Sequence, residues 1–418
     1  MSSAEAREPT CVVEIERLLP GGVGLAHAEG LTLFVSLAAP GDVLRVTIDR
    51  VQGNVGFASV VEIIKPSAVR VEPPCPYFGR CGGCDFQQLT YEAQINAKVE
   101  IVRDCLHRIA RLEIPFDIGM RPSPNEWHYR ARANWQVDAQ AKLIGYFERG
   151  SNRVCDVEYC AVLVPELQET LEQVRQEIAK ETTAHLLRTV DAVAGDEGVS
   201  LFPDIAQFHT REVNRVIGNE TYHFSAEAFF QVNHELLEPL VTEAIGHIKP
   251  ARQTAIDLYC GVGLFTVPLA RRFARVVGVE ANARATEFAR RNLEFAKLRI
   301  ADRVDSDDGN TNLGKAEIVT ARVGDWLKEH ARSFGPVDFL LLDPPRAGCE
   351  NSVIAGILAL RPRQISYVSC DPATLARDLK KLTADGDRRF SLDSITAFDM
   401  FPQTHHVETV TRLSARSL

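Results

Sequence analysis

No stretch of the 418-residue chain approaches the roughly 18–20 uninterrupted apolar residues that a membrane helix needs, so a helical membrane span is not expected. The opening segment, MSSAEAREPT, lacks the charged-then-apolar layout of a secretory leader. The expectation is a cytoplasmic protein with no membrane contact. Positive charge is also short: 47 Lys and Arg stand against 56 Asp and Glu, a net charge of -9. That argues against a protein that coats nucleic acid indiscriminately. It leaves room for a nucleic-acid enzyme, for which a local basic strip is enough. Hydrophobic content of 45% and charged content of 25% are those of a globular protein, and the length suggests about two to three domains. Nothing marks an obligate protein partner.

Cysteine, by contrast, is plentiful at ten residues. In a reducing compartment that number argues for metal binding or catalysis rather than disulfides. Cys75, Cys81 and Cys84 form a C-x5-C-x2-C cluster on a glycine-rich loop, where three thiolates can converge on one metal centre. A fourth ligand is needed, and VCDVEYC offers Cys160 or, as its rival, Cys155. Four-cysteine zinc usually draws on two C-x2-C knuckles. Only one exists here, so an iron–sulfur cluster of the 4Fe-4S type fits better, although the spacing is not that of ferredoxins.

Before this cluster, Val12–Leu19, Leu31–Leu37, Val43–Asp49 and Phe57–Ile64 read as short strands with Gly/Pro turns between them. That pattern predicts a small barrel over residues 1–66, either an oligonucleotide-binding module or an anonymous one. After the cluster, Ile95, Val99, Val102, Leu106 and Ile109 recur at helical spacing, predicting a helix over 91–112 with Cys105 in the core. A link through Pro115 and Pro122-Ser123-Pro124 leads to Trp127–Trp135, WHYRARANW. Between Arg121 and Arg153 six basic residues face three acids. Arginines between aromatics can hold phosphates and stack on unpaired bases; a solvated strand face with core aromatics is the other reading. A helix over 161–183 and a mixed β region to about Tyr222 close a central α+β segment, 67–222. The acidic insert Asp302–Lys315 reads as an exposed loop.

From residue 223 the chain forms one further unit. From Thr254 strands and helices alternate: Ala255–Tyr259, Val276–Glu280, Glu317–Ala321, Phe339–Leu342 and Ile365–Ser369 are strands with helices between them. The fold class is α/β, a mostly parallel sheet with helices on both faces. The first strand runs into Asp257-Leu258-Tyr259-Cys260-Gly261-Val262-Gly263, and Glu280 ends the next. Thr266 stands where a dinucleotide fold wants its third glycine. The D-x-x-x-G-x-G form with Glu280 resembles instead the S-adenosylmethionine (SAM) site of class I, Rossmann-like methyltransferases. Leu340–Leu342 ends in Asp343-Pro344-Pro345-Arg346, placing Asp343 at the cofactor crevice, where it can meet the cofactor's amino-acid part or a base; a rigid turn is the plainer alternative. Ile365–Ser369 ends in Cys370, just before a helix opened by Asp371-Pro372. A helix N-terminus lowers thiol pKa, so Cys370 is a candidate nucleophile, against the plainer reading of a small buried residue.

Together SCDPATLARD, LLDPPRAG, DLYCGVGLF and the C-x5-C-x2-C cluster resemble the RNA (uracil-5-)-methyltransferases. GGVGLA followed by FVSLAAPGD looks like a TRAM domain, an RNA-binding barrel, and the likeness is to the iron–sulfur, TRAM-bearing enzymes that act on 23S ribosomal RNA. The resemblance covers nearly the whole chain. It implies Cys370 as nucleophile and, in DMFPQTHHVE, Glu408 as base. It also implies that Gln231 of FFQVN helps hold cofactor or substrate, that Tyr259, Glu280 and Asp343 contact SAM, and that Asp325 touches the adenine. Leu264 departs from the asparagine that the closest relatives can carry. Three rival readings remain: the same chemistry on transfer RNA, methylation of an exocyclic amine, and a non-catalytic iron–sulfur RNA-binding protein.

Overall fold

The computed structural model describes residues 10–180, 187–205, 210–246, 252–300, 315–384 and 390–416. The insert read as a loop at Asp302–Lys315 lies outside them, apart from its last residue. Among the described residues no helix is long and apolar enough to cross a membrane.

The N-terminal sheet holds β1 (Thr10–Glu14), β2 (Arg17–Leu19), β3 (Val23–Ala28), β4 (Leu31–Val35), β5 (Val43–Gln52) and β6 (Val55–Lys65), in the order β1-β5-β6-β4-β3-β2. Only Ile15 and Glu16 separate β1 from β2, and their N–H groups bond to Asp42 and Leu25 carbonyls. The two edges of the sheet are therefore halves of one bent segment. It curls around Val13, Ile15, Leu33, Leu44 and Val46. Strand β3 lies in GGVGLA, where small residues hide the strand pattern. Buried Asp42 ties this sheet to the segment after β6, accepting from the Ser67 N–H at 2.9 Å and pairing with Arg70.

Thr90 caps α1 (Tyr91–Cys105) through its side chain. The helix predicted to Leu112 ends sooner, in a π-helical turn Leu106–Ala110 closed by left-handed Arg111. Ile101, Val102, Cys105 and Leu106 pack against Leu375 and Leu379 of the C-terminal half. The segment expected to be a link contains β7 (Gly119–Arg121), which pairs with a strand of the large C-terminal sheet. A three-residue edge strand offers no periodicity to read. Residues 91–121 thus belong to the C-terminal layer.

The central sheet contains β8 (Arg132–Asp138), β9 (Leu143–Phe147), β10 (Val154–Asp156), β11 (Thr189–Ala194) and β12 (Val199–Phe202), ordered β10-β9-β8-β11-β12. Helix α2 (Pro165–Ala179) covers it with Leu167, Leu171 and Val174, around Trp135. A hairpin of β13 (Val213–Ile217) and β14 (Glu220–Phe224) leads to α3 (Leu237–Ile245).

Among the described residues the C-terminal sheet has nine strands. In chain order after α3 come β15 (Arg252–Leu258), α4 (Thr266–Ala270), β16 (Phe273–Glu280), α5 (Ala283–Phe295), β17 (Arg299–Ile300) and β18 (Lys315–Thr320). They are followed by α6 (Val323–His330), β19 (Phe339–Leu342), α7 (Asn351–Leu360), β20 (Gln364–Ser369), α8 (Pro372–Leu382), β21 (Phe390–Phe398) and β22 (Glu408–Ala415). The order is β17-β18-β16-β15-β19-β20-β22-β21-β7. Strands β15 to β20 run parallel, and β22 is antiparallel to β20. Strand order reverses between β15 and β19, the place where open α/β sheets bind ligands beyond their strand ends.

Candidate active site

The carboxyl edge of this sheet collects the residues singled out above. Tyr259, Glu280, Asp343 and Cys370 each stand at or just past the end of a parallel strand. Glu408 opens β22, and because β22 runs the other way its start falls on the same edge. The register Ser369↔Thr409 sets Cys370 beside Glu408. A hydrogen bond from Thr409 Oγ1 to the Ser369 carbonyl, 3.0 Å, fixes that register.

The first strand turns sharply. Tyr259 has φ of 64°, Gly261 53° and Gly263 90°, a left-handed run that glycine tolerates best. A Cβ added at Gly261 would meet nothing within 4 Å, so the turn borders open space. The Gly261 N–H donates to Glu280 at 3.2 Å. Asp257, fully buried, accepts from Thr266 Oγ1 at 2.5 Å, and its other oxygen has no partner. Beside this turn a cleft of about 860 Å³ is lined by Tyr259, Ala281, Asp325, Gly348 and Val353. Asp325 sits exposed in the first turn of α6. Gln231 is buried, its amide 3.4 Å from Asp343 Oδ2. Leu264 packs in the core and offers only its carbonyl, which accepts from Tyr222 at 3.0 Å.

Carboxylates dominate the electrostatics. Burial, then Glu280, push Asp343 up to about 7. Burial also takes Asp257 to about 7, opposed by its Thr266 bond. Glu408 is raised well above the usual carboxylate range by burial and by Asp343, and its Oε1 has no partner. The Cys370 thiol is pushed up to about 12 by burial first, then by Glu408 and Asp343, with Arg346 opposing. This corrects the expectation of a lowered thiol pKa. The helix N-terminus is present, but Asp371 already caps it, accepting from the Thr374 N–H at 2.8 Å. Burial and neighbouring carboxylates outweigh it. Buried carboxyl groups that resist ionisation without a positive partner make the site cation-seeking, with Arg346 the opposing charge.

Three residues not anticipated as functional hold Arg346 in place. Thr374 Oγ1 donates to the Arg346 carbonyl at 3.1 Å, and Arg377 donates to the Ala347 and Cys349 carbonyls at 2.9 and 3.1 Å. Buried Asp378 accepts from the Cys349 N–H at 2.7 Å and from Tyr367 at 2.9 Å. The second half of SCDPATLARD is thus the brace of LLDPPRAG. Their recurrence as two conspicuous motifs was the only signal of this pairing.

Cys75, Cys81, Cys84 and Cys160 line one small cavity together with Gln87, Arg130 and Tyr146. Cys155 is not part of that lining; it is buried and accepts from Arg80 Nε at 3.3 Å. Burial pushes Cys84 up to about 12, with Cys160 adding and Arg130 opposing. Among the described residues no group of three or more His, Cys, Asp or Glu forms a site for a metal ion. The stacking role considered for WHYRARANW is corrected in part. Tyr129 and Trp135 are 1% and 0% exposed, so neither can stack on a base. Arg132 spends its donors on the Ala226 and Ala228 carbonyls.

A strand-end crevice of this kind, glycine-walled and rimmed with carboxylates, is that of an α/β methyltransferase. Residues 204–416 match the family model described as tRNA (Uracil-5-)-methyltransferase. An uncharacterized RNA methyltransferase of Thermosynechococcus vestitus is 31% identical, over 97% of this chain and 98% of its own. Another, from Halalkalibacterium halodurans, is 30% identical over 97% of each. The crystal structure of Pyrococcus abyssi tRNA (uracil-54, C5)-methyltransferase with S-adenosyl-L-homocysteine (SAH) is similar, with TM-score 0.71 and 25% identity, over 96% of this chain and 99% of that one. The chain belongs to the tRNA (uracil-5-)-methyltransferase family and is a SAM-dependent RNA methyltransferase.

Proposed function

We propose that the enzyme methylates uracil C5 in 23S ribosomal RNA through a covalent adduct between Cys370 and the base. The observation that carries this reading is the pairing of Cys370 with Glu408 at the cofactor edge of the sheet. Uracil C5 is too weak a nucleophile to take a methyl group directly. The Cys370 thiolate adds to C6, forming a C6–S bond and moving the double-bond electrons toward C5. Once C5, made nucleophilic by that addition, carries the methyl group, Glu408 removes the C5 proton; that electron pair re-forms C5=C6, and the C6–S electrons leave with the Cys370 sulfur as thiolate. The thiolate must reach C6 from above the ring, so the base leaves its stack.

The residues present fit SAM. Its chemistry, when bound, is an electrophilic methyl group on a positive sulfonium. Asp343, Glu280, Tyr259, Asp325 and Gln231 would hold it, and the unpartnered Asp257 oxygen and the raised Asp343 describe a place that favours a cation. A cation at Asp343 removes one of the charges, after burial and Glu408, that keep the Cys370 thiol protonated.

Cys75, Cys81, Cys84 and Cys160 would hold a 4Fe-4S cluster. Their shared cavity and the nearby Arg130 suit such a group, and several iron atoms spread their ligands wider than one zinc ion does. No step in the methylation needs an electron, so the cluster's role here is to shape the RNA-binding module. The curled N-terminal sheet acts as a TRAM-type barrel over residues 1–66. The central segment, 67–222, carries the cluster, and 223–418 carries catalysis.

Transfer RNA is the second reading, favoured by the family description and by the Pyrococcus abyssi enzyme. Both are tested by offering SAM and separate ribosomal and transfer RNA transcripts labelled with tritium at uracil C5. Release of tritium supports C5 substitution, and the transcript that releases it names the substrate class. Methyl transfer without release contradicts the proposal and favours an exocyclic amine.

A further inference from the structure

The loop that delivers Glu408, residues 399–407, is gripped by backbone and side-chain groups of residues 85–129, far away in the sequence. Asp85, the residue after Cys84, accepts from the His405 N–H at 2.7 Å and pairs with His405 Nδ1 at 2.5 Å. The Asp85 and Phe86 N–H groups both donate to the Gln403 carbonyl, at 3.1 and 3.0 Å. Gln94 of α1 exchanges two hydrogen bonds with Gln403, each 2.9 Å. Lys98 pairs with Asp399 and donates to the Phe401 carbonyl at 3.0 Å; Lys98 and Asp399 are both fully buried. Tyr129 donates to the Pro402 carbonyl at 2.9 Å. The N-terminal sheet closes in as well: a Cβ at Gly22 would lie 3.1 Å from that of His405.

Such a grip has a physical reason. Gln403 has φ of 67°, a conformation that costs a non-glycine residue about 1–3 kcal/mol and persists only where surroundings over-determine it. Without outside bonds the loop would relax, and His405 lies only three residues from Glu408. We infer that Asp85 is a positioning residue for the reaction: through His405 it sets the aim of the Glu408 carboxylate at the C5 proton. The inference rests on the proposed role of Glu408. It also gives the cysteine loop a mechanical task, since the chain that carries Cys84 continues directly into the clasp.

A misaimed base leaves the early steps intact. Cys370 still adds and C5 is still methylated, but the C5 proton stays and the C6–S bond cannot break. Full-length Asp85→Ala and His405→Ala proteins, given SAM and C5-tritiated 23S and transfer RNA transcripts, are expected to release tritium about tenfold more slowly or worse. A protein–RNA complex that survives denaturation should accumulate severalfold above wild type. SAH affinity and the KM for RNA should change little, and Asp85→Asn, which can still pair with His405, should recover most of the rate. His405→Ala leaves the cysteine loop untouched, so it separates clasp from cluster. Slow release without the complex overturns the inference, as does wild-type behaviour of both variants. Glu408→Gln is the control: if it builds no complex, the base assignment has failed; if it does and the clasp variants do not, only the clasp has failed.

Discussion

Two groups of cysteine in this protein have thiols held protonated, both by burial first and then by different neighbours. At the sheet edge Cys370 is raised by burial and by the carboxylates of Glu408 and Asp343. In the central module Cys81 is raised by burial and by other thiols, Cys155, Cys160 and Cys75. A lone thiol among carboxylates ionises more easily once a cation neutralises them, and as thiolate it can attack a carbon. Thiols crowded on one another ionise together only onto a metal that stays. Under the proposed function the same side chain would serve transient bonding in one place and permanent bonding in the other, with the neighbours deciding which.

The comparison breaks most sharply with Cys370→Ala. It should lower tritium release by about 10⁴-fold or more, while the protein folds and the iron proposed for the central module is unaffected. Loss of iron would mean the two regions are not separate. Glu408→Gln should slow release by about 10²–10⁴-fold, the usual worth of a positioned base, and should pile up the covalent complex on a denaturing gel. In the other region Cys84→Ser or Cys160→Ser should lose most of the bound iron and lower the melting temperature, whereas Cys155→Ser should keep its iron. Iron analysis beside a melting curve checks this and decides the fourth ligand. The smallest effect concerns pH. Asp343, held at about 7 in the free protein, must ionise to receive a cation, so SAM affinity should fall as pH drops below about 7, by at most about tenfold per unit. Asp343→Asn should flatten that slope in a titration by calorimetry.

Much of the catalytic half was legible because its signals are local. Phe339–Leu342 is the predicted strand residue for residue, and Tyr259, Glu280, Asp343 and Cys370 fall at strand ends because apolar runs stop where polar turn residues begin. The cysteine spacing likewise marked a loop whose thiols share a cavity. Glu408 was different. No periodicity assigns a role to it, and only family resemblance singled it out; its place follows from an antiparallel strand added beside β20. Contacts across the whole chain, such as Asp85 with His405 or Gln94 with Gln403, leave no trace in spacing. Of the two readings of the aromatic–arginine pattern, burial of Tyr129 and Trp135 favours the strand whose aromatics are core over the stacking surface. The thiol pKa was misjudged because the helix end was visible in sequence and the converging carboxylates were not.

The most direct test of the central claim replaces the C5 hydrogen. Transcripts made with 5-fluorouridine carry a fluorine at C5 that Glu408 cannot remove as a proton, so the reaction should halt at the covalent stage. With SAM present, wild-type enzyme should form a denaturation-resistant complex whose RNA is attached to the peptide containing Cys370, and Cys370→Ala should form none. A complex on another cysteine, or RNA methylated with no complex in either protein, would contradict the account.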